Sequence, residues 1–276
     1  PQIIGFLKHF KKWIFIGDEN QLPAVVLQSI NDSKCDDAIL NDLSLKNFRE
    51  SLFYRLKKNA IKKSWNDCYG ILKFQYRMHA DIAEFPKQEF YRNFLEEGND
   101  YQRAKIVGFS NFDTNLVNQL FTQSRIVFVP SKVDLRSKIN NEEATLVEEI
   151  IKHIANVYGE AFEPSKTVGV ITPFRAQIAN IRNHLGSKFQ DITIDTVERF
   201  QGSERKIIIV SFAVKSTTQL GTIQSLNEEN VDRKLNVAIT RAKDHLILIG
   251  SEDVLVKDKL FKKLIEFVKA KNGYFL

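Results

Sequence analysis

Short apolar runs alternate with amphipathic stretches along most of this chain. The runs Trp13–Ile16, Ile71–Phe74, Arg125–Val129, Val168–Ile171, Ile192–Ile194, Lys206–Phe212 and His245–Ile249 predict strands. Several are continuous and rich in Ile and Val, as in strands covered on both faces. Between them, apolar positions at helical spacing predict helices over Leu43–Lys57, Glu142–Val157, Phe174–Leu185, Asp232–Lys243 and Leu255–Ala270. This alternation predicts a doubly wound α/β fold, a mostly parallel sheet with helices on both faces.

Local signals refine the pattern. Asn140 and Glu143 form an Asn-x-x-Glu helix start, close to a capping box. Pro86 is expected to split its segment into two short helices, because proline cannot continue the first. The polar stretch Glu96–Gln123 reads as an insertion or long loop. Residues 1–70 hold one strand and much helix and read as the tail of an earlier domain; residues 71–276 read as a second domain.

Composition narrows the class. The chain has 276 residues, 43% of them hydrophobic, enough for a sizeable core. Its 40 Lys and Arg exceed its 34 Asp and Glu, giving a formal charge of +6. That balance suits a polyanion partner and equally a solvated basic surface. Cys35 and Cys68 stand far apart without a metal-ligand spacing, which argues against a disulfide framework or zinc site and for a reducing, intracellular (cytoplasmic) setting. No apolar run reaches the roughly 18 residues of a membrane span, and no signal peptide opens the chain. It begins at Pro1 without Met, which reads as a piece of something longer.

Ligands of open α/β sheets bind at the carboxyl ends of strands, and the candidate chemistry is expected there. Trp13–Ile16 runs into Gly17-Asp18, then Gln21, which reaches a phosphate oxygen or a positioned water, unless the segment is a polar turn capped by Asp18. Ile71–Phe74 runs into Tyr76 and Arg77. Arg77 offers a forked permanent charge; Tyr76 offers a flat face for a base. The alternative is a buried Tyr and a structural ion pair. After Val168–Ile171, Thr172 reads as an N-cap and Pro173 as a first helical residue, with Arg175 adding charge to an anion site or the helix merely capped. After Ile192–Ile194 come Thr196, the turn-forming Gly202 and Glu204, a hydrogen-bond acceptor or a surface carboxylate. On the helix Asp232–Lys243, Leu235, Ala238, Ile239 and Ala242 make an apolar stripe. Arg241 lies off that stripe and is expected to point away from the core, as a preorganised charge or as part of a salt-bridged face.

Taken together, these segments resemble superfamily 1 helicases, in the branch typified by the nonsense-decay RNA helicase. GDENQLPAVV resembles motif III, FQYRMH motif IV, TPFRAQ the segment between motifs IV and V, TVERFQGSERKIIIVS motif V and RKLNVAITRAK motif VI. The resemblance implies a RecA-like P-loop NTPase fold, with residues 1–70 closing the first RecA-like domain and 71–276 forming the second. It implies that Gln21 senses the γ-phosphate of ATP and that Tyr76 stacks on the adenine. Arg77 would contact the γ-phosphate, Glu204 the ribose and Gly202 the nucleotide, with Arg241 as arginine finger. Thr172 and Thr196 would touch the backbone of single-stranded DNA or RNA, with Arg175 nearby. It implies 5′ to 3′ movement of a protein expected to act as a monomer.

Ala24, Ala80 and Glu198 depart from the usual pattern, which puts local turn geometry in question. A larger departure is that no GxxxxGK[ST] occurs, and the Mg²⁺-binding carboxylate box is not found before motif III. The chain alone is therefore expected not to hydrolyse ATP. The P-loop and Mg²⁺ ligands are expected upstream, and no metal ligands are assigned here. Two other readings remain at this stage: a helicase relic that grips nucleic acid without hydrolysis, and the motor of a fused helicase-nuclease.

Overall fold

The computed structural model describes residues 5, 7, 9–29, 31–42, 44–104, 116–134 and 138–275. The chain divides into two compact units, Pro1–Leu72 and Lys73–Leu276.

In the first unit, helix α1 spans Ala38–Asp42 and α2 spans Leu52–Lys62. The helix expected over Leu43–Lys57 starts late (Leu43 lies outside the described residues). The intervening backbone is engaged elsewhere: Cys35 N donates to Lys46 O at 3.0 Å and Phe48 N to Ser33 O at 2.8 Å. The helix begins once Ser51 caps it, its hydroxyl accepting from Tyr54 N. The strand expected at Trp13–Ile16 does not form among the described residues, and Ile14 and Ile16 are 89% and 82% exposed. An apolar run becomes a strand only where a ladder and a covering layer exist for it.

The second unit is built on parallel strands. β1 (Phe74–Gln75) pairs with β2 (Glu96–Glu97). β3 (Ile126–Pro130), β4 (Val168–Ile171), β5 (Thr193–Asp195), β6 (Arg205–Ser211) and β7 (Ala242–Gly250) form a sheet in the order β3-β7-β6-β4-β5. Helices α3 (Ala80–Glu89), α4 (Leu116–Gln123), α5 (Asn141–Tyr158), α6 (Arg175–Leu185), α7 (Thr217–Ile223), α8 (Arg233–Ile239) and α9 (Lys259–Ala270) complete the unit with a few single turns.

Strand burial follows from the continuous apolar runs. Ile207, Ile209, Ile247 and Ile249 join Val147, Ile150, Ile151 and Ile154 of α5 and Ile181 of α6 in one cluster. The pleat turns Ile208, Leu246 and Leu248 to the other face, where they are equally buried. α3 packs on β7 and α9 on β3. Each such side chain contributes roughly 1.5–3 kcal/mol on burial. The fold is thus α/β and RecA-like, with a parallel sheet between helical layers.

Three helix expectations are corrected. Pro86 does not split its segment: α3 runs through it, with Pro86 buried beside Ile82, Ala83 and Phe85, so packing offsets the lost backbone hydrogen bond. α8 ends at Ile239, Thr240 is its C-cap, and Ala242 already opens β7. α9 starts at Lys259, because Asp258 caps it with 2.8 Å and 3.1 Å bonds from Leu260 N and Phe261 N. Part of Glu96–Gln123, expected to be irregular, is ordered as β2, a turn at Asp100–Arg103 and α4. Residues 105–115 lie outside the described residues. No helix among the described residues is long and apolar enough to cross a membrane.

Candidate functional site

The segment after β1 is a tight turn held by the side chain of Gln75. Its Oε1 accepts from Arg77 N (3.0 Å) and Met78 N (2.8 Å), and its Nε2 donates to Met78 O (2.9 Å). His79 caps α3, and its N–H donates to Lys243 O at 2.7 Å, docking the turn onto the start of β7. From this turn Arg77 reaches two partners. Its Nε donates to Glu204 Oε2 at 2.6 Å and its Nη1 to Thr240 O at 3.1 Å. Lys243 pairs with the other carboxylate oxygen of Glu204. The Arg77 hydrogen bond, then that of Lys243, holds the Glu204 carboxyl below the usual carboxylate range. Both partners of the Arg77–Glu204 pair are partly exposed, so the pair matters more for geometry than for stability.

Arg241 is 2% exposed and does not point away from the core as expected. Because α8 has already ended, Arg241 sits in the turn into β7 and folds back. Its Nε donates to Val237 O (3.1 Å), Nη1 to Ser203 O (3.3 Å) and Nη2 to Thr240 Oγ1 (3.0 Å). A buried guanidinium is retained only with such acceptors. The two arginines meet at Thr240, Arg77 on its carbonyl and Arg241 on its hydroxyl. Gly202, next to Ser203, has φ +85°, a conformation that suits glycine.

Tyr76 is 66% exposed. Gly98 at the end of β2 lies against its ring, and Gly98 N donates to Gln75 O at 2.8 Å. An open aromatic face beside a half-exposed guanidinium fits the base and phosphate ends of a nucleotide. Gln21, in the first unit, donates from Nε2 to Asp18 Oδ2 at 2.9 Å.

The remaining candidates lie at the other end of the sheet. Thr172 follows β4 and Thr196 follows β5, tied through Asp195: Thr172 N donates to Asp195 O (3.1 Å) and Thr196 N to Asp195 Oδ1 (2.8 Å). Thr172 does not cap α6. Phe174 holds the N-cap position without a side-chain cap, and Arg175, the first helical residue, is exposed. Thr172 is fully buried, and its hydroxyl has no hydrogen-bond partner. Glu204 and Arg241 instead precede β6 and β7, at their amino ends. The expectation that all candidates share the carboxyl edge is therefore corrected. At about 3.3 Å per residue, the length of β6 separates the two groups by roughly 20 Å.

One charged centre was read from the sequence only as part of a helix start. Glu143 on α5 is fully buried at the carboxyl ends of β3 and β6. Its Oε1 accepts from Ser131 Oγ (3.1 Å) and Asn140 Nδ2 (3.3 Å), and its Oε2 from Ser211 Oγ (2.7 Å) and Ala213 N (2.9 Å). Burial pushes its carboxyl up to about 7 against the pull of these donors. The Asn140 half of the capping box forms, with Glu143 N donating to Asn140 Oδ1 at 3.0 Å. The Glu143 side chain turns inward instead. Among the described residues no group of three His, Cys, Asp or Glu is placed to hold a metal ion.

A family model described as an AAA domain, AAA_12, matches residues 48–253. Helicase sen1 of Schizosaccharomyces pombe is 34% identical over 93% of this chain and 14% of its own length. An uncharacterized ATP-dependent helicase of Methanocaldococcus jannaschii is 32% identical over 94% of this chain and 35% of its own. The Regulator of nonsense transcripts 1 homolog of Drosophila melanogaster is 33% identical over 98% of this chain and 21% of its own. The chain thus spans between 14% and 35% of the length of these relatives.

Proposed function

Because the chain belongs to the AAA_12 family of AAA domains, and with its relatives to the Sen1 and nonsense-transcript-regulator branch of superfamily 1 helicases, we propose that its second unit supplies one wall of an ATP site and a grip on a single nucleic-acid strand. Tyr76 stacks on the adenine, and Gly202 lets the backbone approach the nucleotide. Glu204 accepts from a ribose hydroxyl; its two cationic partners take one oxygen each and leave further acceptor positions. Arg77 and Arg241 stabilise charge on the γ-phosphate. The observation that carries this reading is the meeting of Arg77 and Arg241 on Thr240, since charge fixed beforehand lowers the barrier to phosphoryl transfer.

Thr196 and the exposed Arg175 take the strand's phosphates at the carboxyl ends of β4 and β5, and the buried Thr172 reaches a phosphate only once the strand displaces its cover. The segment from Thr196 to Glu204 runs from the strand grip to the nucleotide wall, and it transmits the nucleotide state to the strand. In the longer protein the cycle steps along single-stranded DNA or RNA, 5′ to 3′, as a monomer inside the cell. Mg²⁺, when bound, would supply neutralising charge to the phosphates in such chemistry. The described residues do not fit it, so its ligands and the P-loop belong to other parts of the longer protein, and this chain alone does not hydrolyse ATP. The test is steady-state ATPase of the longer protein with single-stranded nucleic acid: Arg77→Ala lowers kcat by roughly 10³ with little change in melting. A near wild-type rate in a folded variant overturns the reading.

A further inference from the structure

Gly98 has an ordinary backbone conformation, so no positive φ requires glycine there. What requires it is the ring of Tyr76. A Cβ on Gly98 would lie 2.6 Å from Tyr76 Cδ1 and closer still to Cε1 and Cζ, inside any tolerable contact. The Gly98 backbone is held on both sides. Its N–H is shared between Gln75 O at 2.8 Å and Gln102 Oε1 at 3.0 Å. The buried Gln102 also accepts from Asn99 N (3.2 Å) and donates from Nε2 to Met78 O at 2.8 Å. One amide thus locks the Gly98 backbone to the turn that carries Tyr76. The ring has a fixed floor, yet the side chain remains 66% exposed.

We infer that Gly98, locked by Gln102, is a positioning residue: it is the floor that sets the height and tilt of the Tyr76 ring on which a purine base stacks. This rests on the proposed ATP site and adds to it the residue that fixes the stacking platform. A ring pressed on backbone presents one face at one position, and stacking strength depends on that position. The interaction involves the base alone, so it changes ground-state and transition-state binding alike and appears in KM rather than kcat.

The experiment is ATPase of the longer protein carrying Gly98→Ala, Tyr76→Ala or both, with ATP and with ribose 5′-triphosphate, which lacks the base. Tyr76→Ala is expected to raise KM for ATP roughly 10-fold, as for loss of a base–aromatic stack. Gly98→Ala is expected to raise it roughly 3–10-fold with kcat nearly unchanged. It should not alter KM for ribose triphosphate, and it should add nothing in the Tyr76→Ala background. If Gly98→Ala alone fails to fold, Tyr76→Ala in the same chain removes the clash and should restore the melting transition; no restoration overturns the inference. An effect of Tyr76→Ala without one from Gly98→Ala also overturns it, as does an equal Gly98→Ala effect on the base-free substrate. If Tyr76→Ala itself leaves KM for ATP unchanged, the ATP reading of this face fails instead.

Discussion

Arg77 Nε lies 2.6 Å from Glu204 Oε2, although 127 positions of sequence separate the two residues. This pair joins the turn after β1 to the approach of β6. It also orients the guanidinium so that Nη1 meets Thr240 O. The fork is therefore aimed before a ligand arrives.

Glu204→Gln should loosen that aim. Gln retains an acceptor for a ribose hydroxyl but loses the charge that draws in Arg77 and Lys243. The expected outcome is a rise in KM for ATP of several-fold and a fall in kcat of roughly 10-fold or more, about 1.4 kcal/mol of barrier. The lowered Glu204 carboxyl places the ion pair's stability contribution above its unfolded value, near 4.5. That contribution is lost only as pH falls through the lowered value. Steady-state kinetics from pH 6 to 8 should show no step in the wild type that disappears in Glu204→Gln; such a step would contradict this placement.

Glu143 has the opposite sign. Its folded carboxyl, raised to about 7, stabilises the fold relative to the unfolded chain below pH 4.5. That contribution is lost as pH rises to about 7, at a cost of about 3 kcal/mol. Glu143→Gln abolishes the titration while keeping the shape. Urea melts at pH 5 and pH 7.5 should show the wild type losing more stability across that interval than the variant, by about 2 kcal/mol. Equal slopes would mean that the four donors outweigh burial.

Thr172 separates fold from function. Its buried hydroxyl lacks a partner, and an unsatisfied buried hydroxyl costs roughly 1–3 kcal/mol. Thr172→Val keeps the volume and should leave melting unchanged or raise it. If Thr172 touches a phosphate, the same change should weaken binding of single-stranded homopolymers severalfold, measured by fluorescence anisotropy at low salt. Lost stability with intact binding would assign Thr172 to the core alone.

How much of this was legible depended on local pattern. β4 matches its predicted limits because Val168–Ile171 is a closed apolar run, and α5 lies within one residue of expectation at each end because Asn140 caps it. Trp13–Ile16 looked the same and did not form a strand, since a ladder partner cannot be read from the run itself. The turn of Arg241 back into the structure was hidden because its acceptors, Ser203 O and Thr240 Oγ1, depend on where α8 stops. Glu143 looked like a cap because its true partners, Ser131, Ser211 and Ala213, are brought to it only by the sheet.

Arg241 tests the central claim most directly. Its burial means that Arg241→Ala would leave a cavity and unpaired carbonyls, so a loss of activity would be confounded with a loss of fold. Arg241→Lys keeps the charge and most of the volume but not the fork that spans Val237, Ser203 and Thr240. The measurement is ATPase of the longer protein carrying Arg241→Lys, saturated with single-stranded nucleic acid, alongside its melting temperature. The account predicts a cooperative melt, somewhat below that of the wild type because lysine does not reach all three acceptors, and a kcat lower by roughly 10³–10⁵, about 4–7 kcal/mol of barrier. A folded Arg241→Lys protein that hydrolyses ATP at the wild-type rate would contradict it and make Arg241 a structural tie between α8 and β7.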